Sequence, residues 1–213
     1  FNIPGAGVQT IDLTSTLPQI ADDNTTIDGY TQLGAAPATD TTPATILIQI
    51  DGTGIINNGF NITSSGNLIR GLAIYGFLGS GVWIANYLGS VANDNVIAGN
   101  YIGTNASGLL CFGNGLSGVF VGAGAQSNRI GGDNPADRNL LSCKGWAGVD
   151  VHGSGTTGNI VSGNYFGTGH LGSVSLGNQY DGVRIYGGAQ SNIIGGDAPG
   201  ERNIISGNTR DGV

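Results

Sequence analysis

The chain has 213 residues and a net charge of −7, from 7 basic and 14 acidic side chains. It holds 41 Gly and 6 Pro but a single Lys, a single Glu and no Met, which excludes a helical bundle and leaves little material for long crossover helices. The basic residues are few and scattered, so nucleic acid is excluded as a partner.

Phe1 starts the chain without a charged-then-apolar leader, which reads as a processed product or an excerpt of something longer. Residues 1–66 carry short alternating phrases without a clear period, and Asp22-Asp23 reads as a polar turn before Thr25-Thr26-Ile27. From Gly71 to Asn93 no charge occurs, but Gly, Ser and Asn interrupt the stretch and its apolar residues alternate, so no transmembrane segment is expected.

From Asn67 onward the chain repeats. Asn95 to Cys143 align without a gap on Asn159 to Gly207, and about half of the positions are identical. NYIGT at Asn100 meets NYFGT at Asn164, and GAQSNRIGGDNPADRNLLS at Gly124 meets GAQSNIIGGDAPGERNIIS at Gly188. This is an internal duplication. Within the unit, phrases begin at Gly118, Asn128, Asn139, Gly148 and Asn159, at a near-equal spacing of about ten. Many have the form Gly-aliphatic-x-aliphatic, whose period of 2 and β-branched side chains predict strands.

Two phrases per turn predict an all-β parallel solenoid with coils of about 21 residues, three coils per repeat, and about ten coils in a rod on the order of 50 Å long. A single domain then covers 1–213, less regular over 1–66 and clearly repeated over 67–213. A β-propeller fits less well, because its blades need about 40 to 45 residues in four antiparallel strands. Asn95, Asn139, Asn159 and Asn203 are expected at corners, where positive φ is tolerated and Asn side chains bond along the stack. Alternation points Val82, Ile84, Val119, Val121, Val149, Val151, Val183 and Ile185 inward, and Trp83, Phe120, Asp150 and Arg184 outward.

The phrases FNIPGAGVQTIDLTSTLPQI (Phe1 to Ile20), TIDGYTQLGA (Thr26 to Ala35), NLIRGLAIYGF (Asn67 to Phe77), NVIAGNYIGT (Asn95 to Thr104) and the two GG-D-x-P-x-[D/E]-RN loops together resemble right-handed parallel β-helix repeats of the pectin-lyase-like type, found in large secreted or surface-attached bacterial proteins. The resemblance covers nearly the whole chain. It implies a right-handed β-helix in an extracellular or cell-surface setting. It implies no shared catalytic motif.

Chemistry has thin material. Catalytic, cofactor and metal sites are assigned to no residue. The outward Trp83, Phe120, Asp150, His152 and Arg184 form the candidate patch, either for a surface ligand such as a glycan or for packing. A coil of about 21 residues would set Arg129 beside Asp150. His170 reads as a solvated loop residue. Asp133 and Asp137, and likewise Asp197 and Glu201, could hold calcium, but the Arg138 or Arg202 that follows makes an Asp–Arg brace the better reading. Gly131-Gly132 and Gly195-Gly196 are turn glycines, since no helix or Lys-Ser/Thr follows. Cys111 and Cys143 fit no metal spacing; they are one disulfide of an oxidising compartment or, more simply, two small residues in turns or core.

Asp211-Gly212-Val213 repeats Asp181-Gly182-Val183 and stops in mid-phrase. The expected function is therefore structural: a cell-surface or extracellular solenoid whose uncapped ends meet copies of itself in a filament, or further coils of a longer parent chain. The alternative is a carbohydrate-binding adhesin module, or a lyase or hydrolase working on the outer face.

Overall fold

The computed structural model describes residues 1–213. Eighteen short strands follow in chain order: β1 (Gln9–Asp12), β2 (Thr26–Asp28), β3 (Ile48–Asp51), β4 (Phe60–Ile62), β5 (Leu68–Arg70), β6 (Leu72–Tyr75), β7 (Val82–Ala85), β8 (Val96–Ala98) and β9 (Tyr101–Ile102). The second half holds β10 (Val119–Gly122), β11 (Arg129–Gly131), β12 (Leu140–Leu141), β13 (Val149–His152), β14 (Ile160–Ser162), β15 (Tyr165–Phe166), β16 (Val183–Tyr186), β17 (Ile193–Ile194) and β18 (Ile204–Ile205). Three sheets result, in the orders β1-β3-β6-β9-β12-β15-β18 (sheet I), β4-β7-β10-β13-β16 (sheet II) and β2-β5-β8-β11-β14-β17 (sheet III). Neighbours pair in parallel, as in Val82–Val119, Val119–Val149 and Val149–Val183. The chain passes from sheet I to II to III and back, and a bridge from Ile20 to Ile62 fills the place in sheet II where the first circuit has no strand. Such a path is that of a parallel β-solenoid.

The coil length differs from the expectation. Val119 pairs with Val149 and Val149 with Val183, so the sequence repeat is two long circuits, one from Val119 to Val149 and one from Val149 to Val183, rather than three short ones. The near-equal phrase spacing is real, but it separates successive sheets, and a circuit needs three phrases. The chain holds six circuits and a seventh strand in sheet I rather than ten coils.

Inward alternation fills the bore. Val82, Ile84, Val119, Val121, Val149, Val151 and Val183 are fully buried in a 24-residue apolar cluster that runs the length of the solenoid. Ile185, expected with them, is 37% exposed because β16 is the last strand of sheet II and no strand covers it.

Asparagines line the corners in columns. Asn67, Asn95, Asn128, Asn159 and Asn192 form one ladder, in which each backbone N–H and side-chain Nδ2 donates to the Oδ1 of the next Asn at 2.8–3.0 Å. Asn100, Asn139, Asn164 and Asn203 form a second. The expected corner residues Asn95, Asn139, Asn159 and Asn203 all belong to these ladders, but positive φ falls elsewhere. In the first ladder it falls on the residue just before each Asn: Gly66, Asp94, Ser127, Gly158 and Ser191. Gly195 lies at a bend with φ of +93°, whereas Gly131, expected in a turn, is the last residue of β11, with φ of +89°, and a Cβ on it would collide with the Ser162 carbonyl oxygen.

Outside the bore, a second apolar cluster of Ile46, Ala73, Tyr75, Tyr101, Ala106 and Leu140 covers the outer face of sheet I. A loop pinned by an antiparallel bridge between Ala36 and Thr45 lies over it, with Tyr30, Ala44 and Tyr165 packed alongside. Cys111 and Cys143 form a disulfide with Cα atoms 5.5 Å apart, in place of the unpaired residues that the simpler reading expected. It ties a protruding turn, closed by the Thr104–Cys111 bridge, to the next circuit. No helix is long and apolar enough to cross a membrane.

Candidate functional site

Sheet II places the outward residues Asn61, Trp83, Phe120, Asp150 and Arg184 in one column, because each occupies the second position of its strand and the strands are in register. His152 and Tyr186 end the last two strands of the sheet. All five patch residues expected from the sequence thus share one face. Trp83 and Phe120 stack with ring centres 5.9 Å apart and planes 6° apart, and His152 lies 6.3 Å from Phe120 and 4.4 Å from Tyr186.

A second aromatic row runs beside the first. Trp146 and Tyr180 stack at 4.5 Å, and Arg210 lies 4.1 Å over the Tyr180 ring. Leu116, Trp146, Tyr180 and Arg210 each stand two positions before the glycine that opens a sheet II phrase, at Gly118, Gly148, Gly182 and Gly212. This row is missing from the expected patch, although the column is visible in the sequence once the phrases are aligned on their glycines. Between the rows lies a groove of about 230 Å³ lined by Ser80, Leu116, Ser117, Phe120, Trp146, Asp150 and Tyr186.

Asp150 is the polar centre of this groove. Expected on the exposed face, it is instead only 4% exposed, because the rings of the two rows stand over it. Its register neighbour Arg184 does not neutralise it at contact: the Nε of Arg184 lies 3.5 Å from Asp181 Oδ2, and its guanidinium sits 4.3 Å from the Tyr186 ring centre and 5.0 Å from that of Trp146. Asp150 Oδ1 is buried with no hydrogen-bond partner. Burial pushes its carboxyl up to about 6, against the opposing pull of Arg184, His152 and Tyr186. Desolvation, and then the Asp150 carboxylate, raises the Tyr186 hydroxyl.

Arg129 is not beside Asp150, since the longer circuit carries it to sheet III, where it pairs with Val96 and Ile160. Its Nη1 lies 3.4 Å from Asp137, so the expected brace in the first GG-D-x-P loop exists with Arg129 rather than with Arg138. Arg138 instead covers the Tyr165 ring at 4.4 Å. In the second loop Glu201 accepts the Ala198 N–H, and Arg202 donates to the Pro199 carbonyl. Nowhere do three or more His, Cys, Asp or Glu side chains gather as a metal-binding group. His170 is not a solvated loop residue: it is half-buried and stacks on Tyr101 with ring centres 6.3 Å apart.

Compared with protein-family models, curated proteins and solved structures, the chain finds no match.

Proposed function

We propose that the protein is an extracellular or cell-surface β-solenoid, right-handed and of the pectin-lyase-like type, that serves as a rigid scaffold and binds carbohydrate in the groove on sheet II. The observation that carries the reading is the buried, unpartnered Oδ1 of Asp150 at the floor of an aromatic groove. An unpaired buried acceptor is costly, and a ligand that brings hydroxyl donors removes the cost. Sugars bring such donors together with apolar C–H faces, which suit Phe120, Trp146 and Tyr186. The disulfide fits an oxidising compartment. Binding is favoured over cleavage because Asp150 is the one carboxylate lining the groove, whereas glycoside hydrolysis ordinarily uses a pair.

The test is a glycan array followed by calorimetry on the best hit. Asp150→Asn and Trp146→Ala should each weaken binding at least about tenfold while circular dichroism stays unchanged. An array without signal above background, or hits indifferent to both changes, sinks the reading.

A second reading, that further coils stack on the last strands, is favoured by Ile193 and Ile204, whose side chains are 51% and 40% exposed on β17 and β18. Those coils would come from a longer parent chain or from another copy. Fibres in electron micrographs would support stacking between copies, and discrete short rods would remove it.

A further inference from the structure

A second, wider cavity lies away from the sheet II groove, on the sheet I side of the solenoid. It is a cleft of about 500 Å³ between the loop closed by Ala36 and Thr45 and the outer face of sheet I, with Ile46, Gln49, Tyr101, Ala106, Ser107 and His170 in its walls. That volume is in the range of small-molecule sites. Pro43, Ala44, Tyr101 and His170 also line a narrow recess of about 20 Å³, whose remaining walls include Arg138, Leu140 and Tyr165. The two spaces therefore share a wall, a wide compartment beside one that holds little more than a single water or one small polar group.

The polar inventory of the recess is unbalanced. Arg138 Nε and His170 Nδ1 are both buried without a hydrogen-bond partner. Arg138 takes part in none of the three ion pairs of the molecule, and its chain neighbour Asp137 is engaged by Arg129. The guanidinium rests on the Tyr165 ring and has no counter-charge. A guanidinium offers only donors and keeps its charge at any ordinary pH, so whatever completes the recess must bring acceptors and, by preference, negative charge. The wide compartment offers Tyr101, Ile46 and Ala106 to an apolar body.

We propose that this cleft is a binding site for a small ligand that carries an oxyanion on an apolar body, the oxyanion held in the recess by Arg138 beside His170 and the body lying over Tyr101 and Ile46. The site is separate from the sheet II groove and does not depend on its reading. The probes are benzoate and phenyl phosphate, with benzyl alcohol as the neutral analogue and inorganic phosphate as the anion without a body, titrated into the whole chain by calorimetry and ligand-observed NMR.

Benzoate or phenyl phosphate should bind at least about tenfold more tightly than benzyl alcohol, and whichever binds better names the anion as carboxylate or phosphate. Arg138→Gln, which keeps the stem as far as Cδ and removes the charge, should weaken that binding at least about tenfold. Ser107→Trp at the wall of the wide compartment should weaken it comparably without touching the recess, so the proposal stays testable if the first variant folds poorly. Neither change should alter glycan binding at sheet II. Equal binding of benzoate and benzyl alcohol, unchanged affinity in both variants, or no binding of any probe at roughly 10 mM overturns the proposal.

Discussion

Lys144 breaks a ladder. The third column of corner residues runs Asn114, Lys144, Asn178 and Asn208, and each Asn that precedes a covered circuit donates its Nδ2 to a carbonyl of sheet I, Ile74 for Asn114 and Leu141 for Asn178. At Lys144 the matching acceptor, by the register of sheet I, is the Ile102 carbonyl. Its Nζ is instead fully buried with no partner, and burial drives the amine well below the usual lysine range. The folded amine therefore holds its proton less tightly than the unfolded chain does, and folding bears the cost of burying the charge or of releasing it. Lys144→Asn should therefore stabilise the protein by about 1–3 kcal/mol at pH 7, since it removes that cost and lets Nδ2 reach Ile102. The unfolded state binds the extra proton up to about the ordinary lysine pKa, so the advantage should shrink as pH rises toward about 10. Urea titrations of both forms near neutral pH and again near the lysine pKa check the size and the trend. Asp150 has the opposite sign. Its folded carboxyl is raised to about 6, so the folded state holds the proton more tightly and stability falls as pH climbs from the unfolded carboxylate pKa through 6. Asp150→Asn should match the wild type near pH 4 and exceed it by about 1–3 kcal/mol at pH 7, in thermal melts over that range. Greater stability with lost glycan binding would mark Asp150 as kept for its ligand.

At the scale of elements, strands of two to four residues hold because corners and bore share the load. Asn128 sits in the middle of its ladder: its Oδ1 accepts the N–H and Nδ2 of Asn95, and its Nδ2 donates to the Ala92 carbonyl and to Asn159. Asn128→Ala leaves the Asn95 N–H and the Ala92 carbonyl without a partner and removes one bond each from the Asn95 and Asn159 amides, and should cost about 3 kcal/mol or more. Asn192 ends the same ladder and is half-exposed, so Asn192→Ala should cost about 1 kcal/mol. Chemical denaturation at unchanged m-value checks the pair, and equal costs would deny the ladder its cooperative role. The strands and the inward residues were legible in the sequence, since alternation after Gly or Asn is a local signal. The sheet order was not. Gly118, Asn128, Asn139 and Gly148 open phrases at near-equal spacing, and nothing local says whether two or three phrases close a circuit. The glycines did carry the answer, because Gly81, Gly118, Gly148 and Gly182 all open sheet II strands while Asn opens most of those in the other two sheets. The same miscount misplaced Arg129. Burial of Asp150 was illegible for another reason: besides Trp146 just before its own strand, it depends on Phe120 and Tyr186, which reach it only from the circuits on either side.

On the scale of the whole molecule, each circuit of a solenoid touches only its neighbours, so the chain should accept more circuits if each insertion restores the register. Residues 119–182 make such a unit: they begin at Val119, end at Gly182, and their ends are equivalent because Gly118 precedes Val119 as Gly182 precedes Val183. A second copy inserted after Gly182 puts a Val119 behind a glycine of the same kind and returns to Val183 two circuits later. Its Asn128, Asn139 and Asn159 fall into the existing ladders, and its valines continue the bore. Strands in a sheet lie about 4.8 Å apart, so two added circuits should lengthen the rod by about 10 Å, whereas three circuits would add about 14 Å. Small-angle scattering from the parent and the extended chain separates these lengths without a high-resolution structure. The smaller increase, with a larger m-value and a single transition, is the expected result. The larger one would restore the shorter coil and remove the columns that place Phe120, Asp150 and Arg184 in one row.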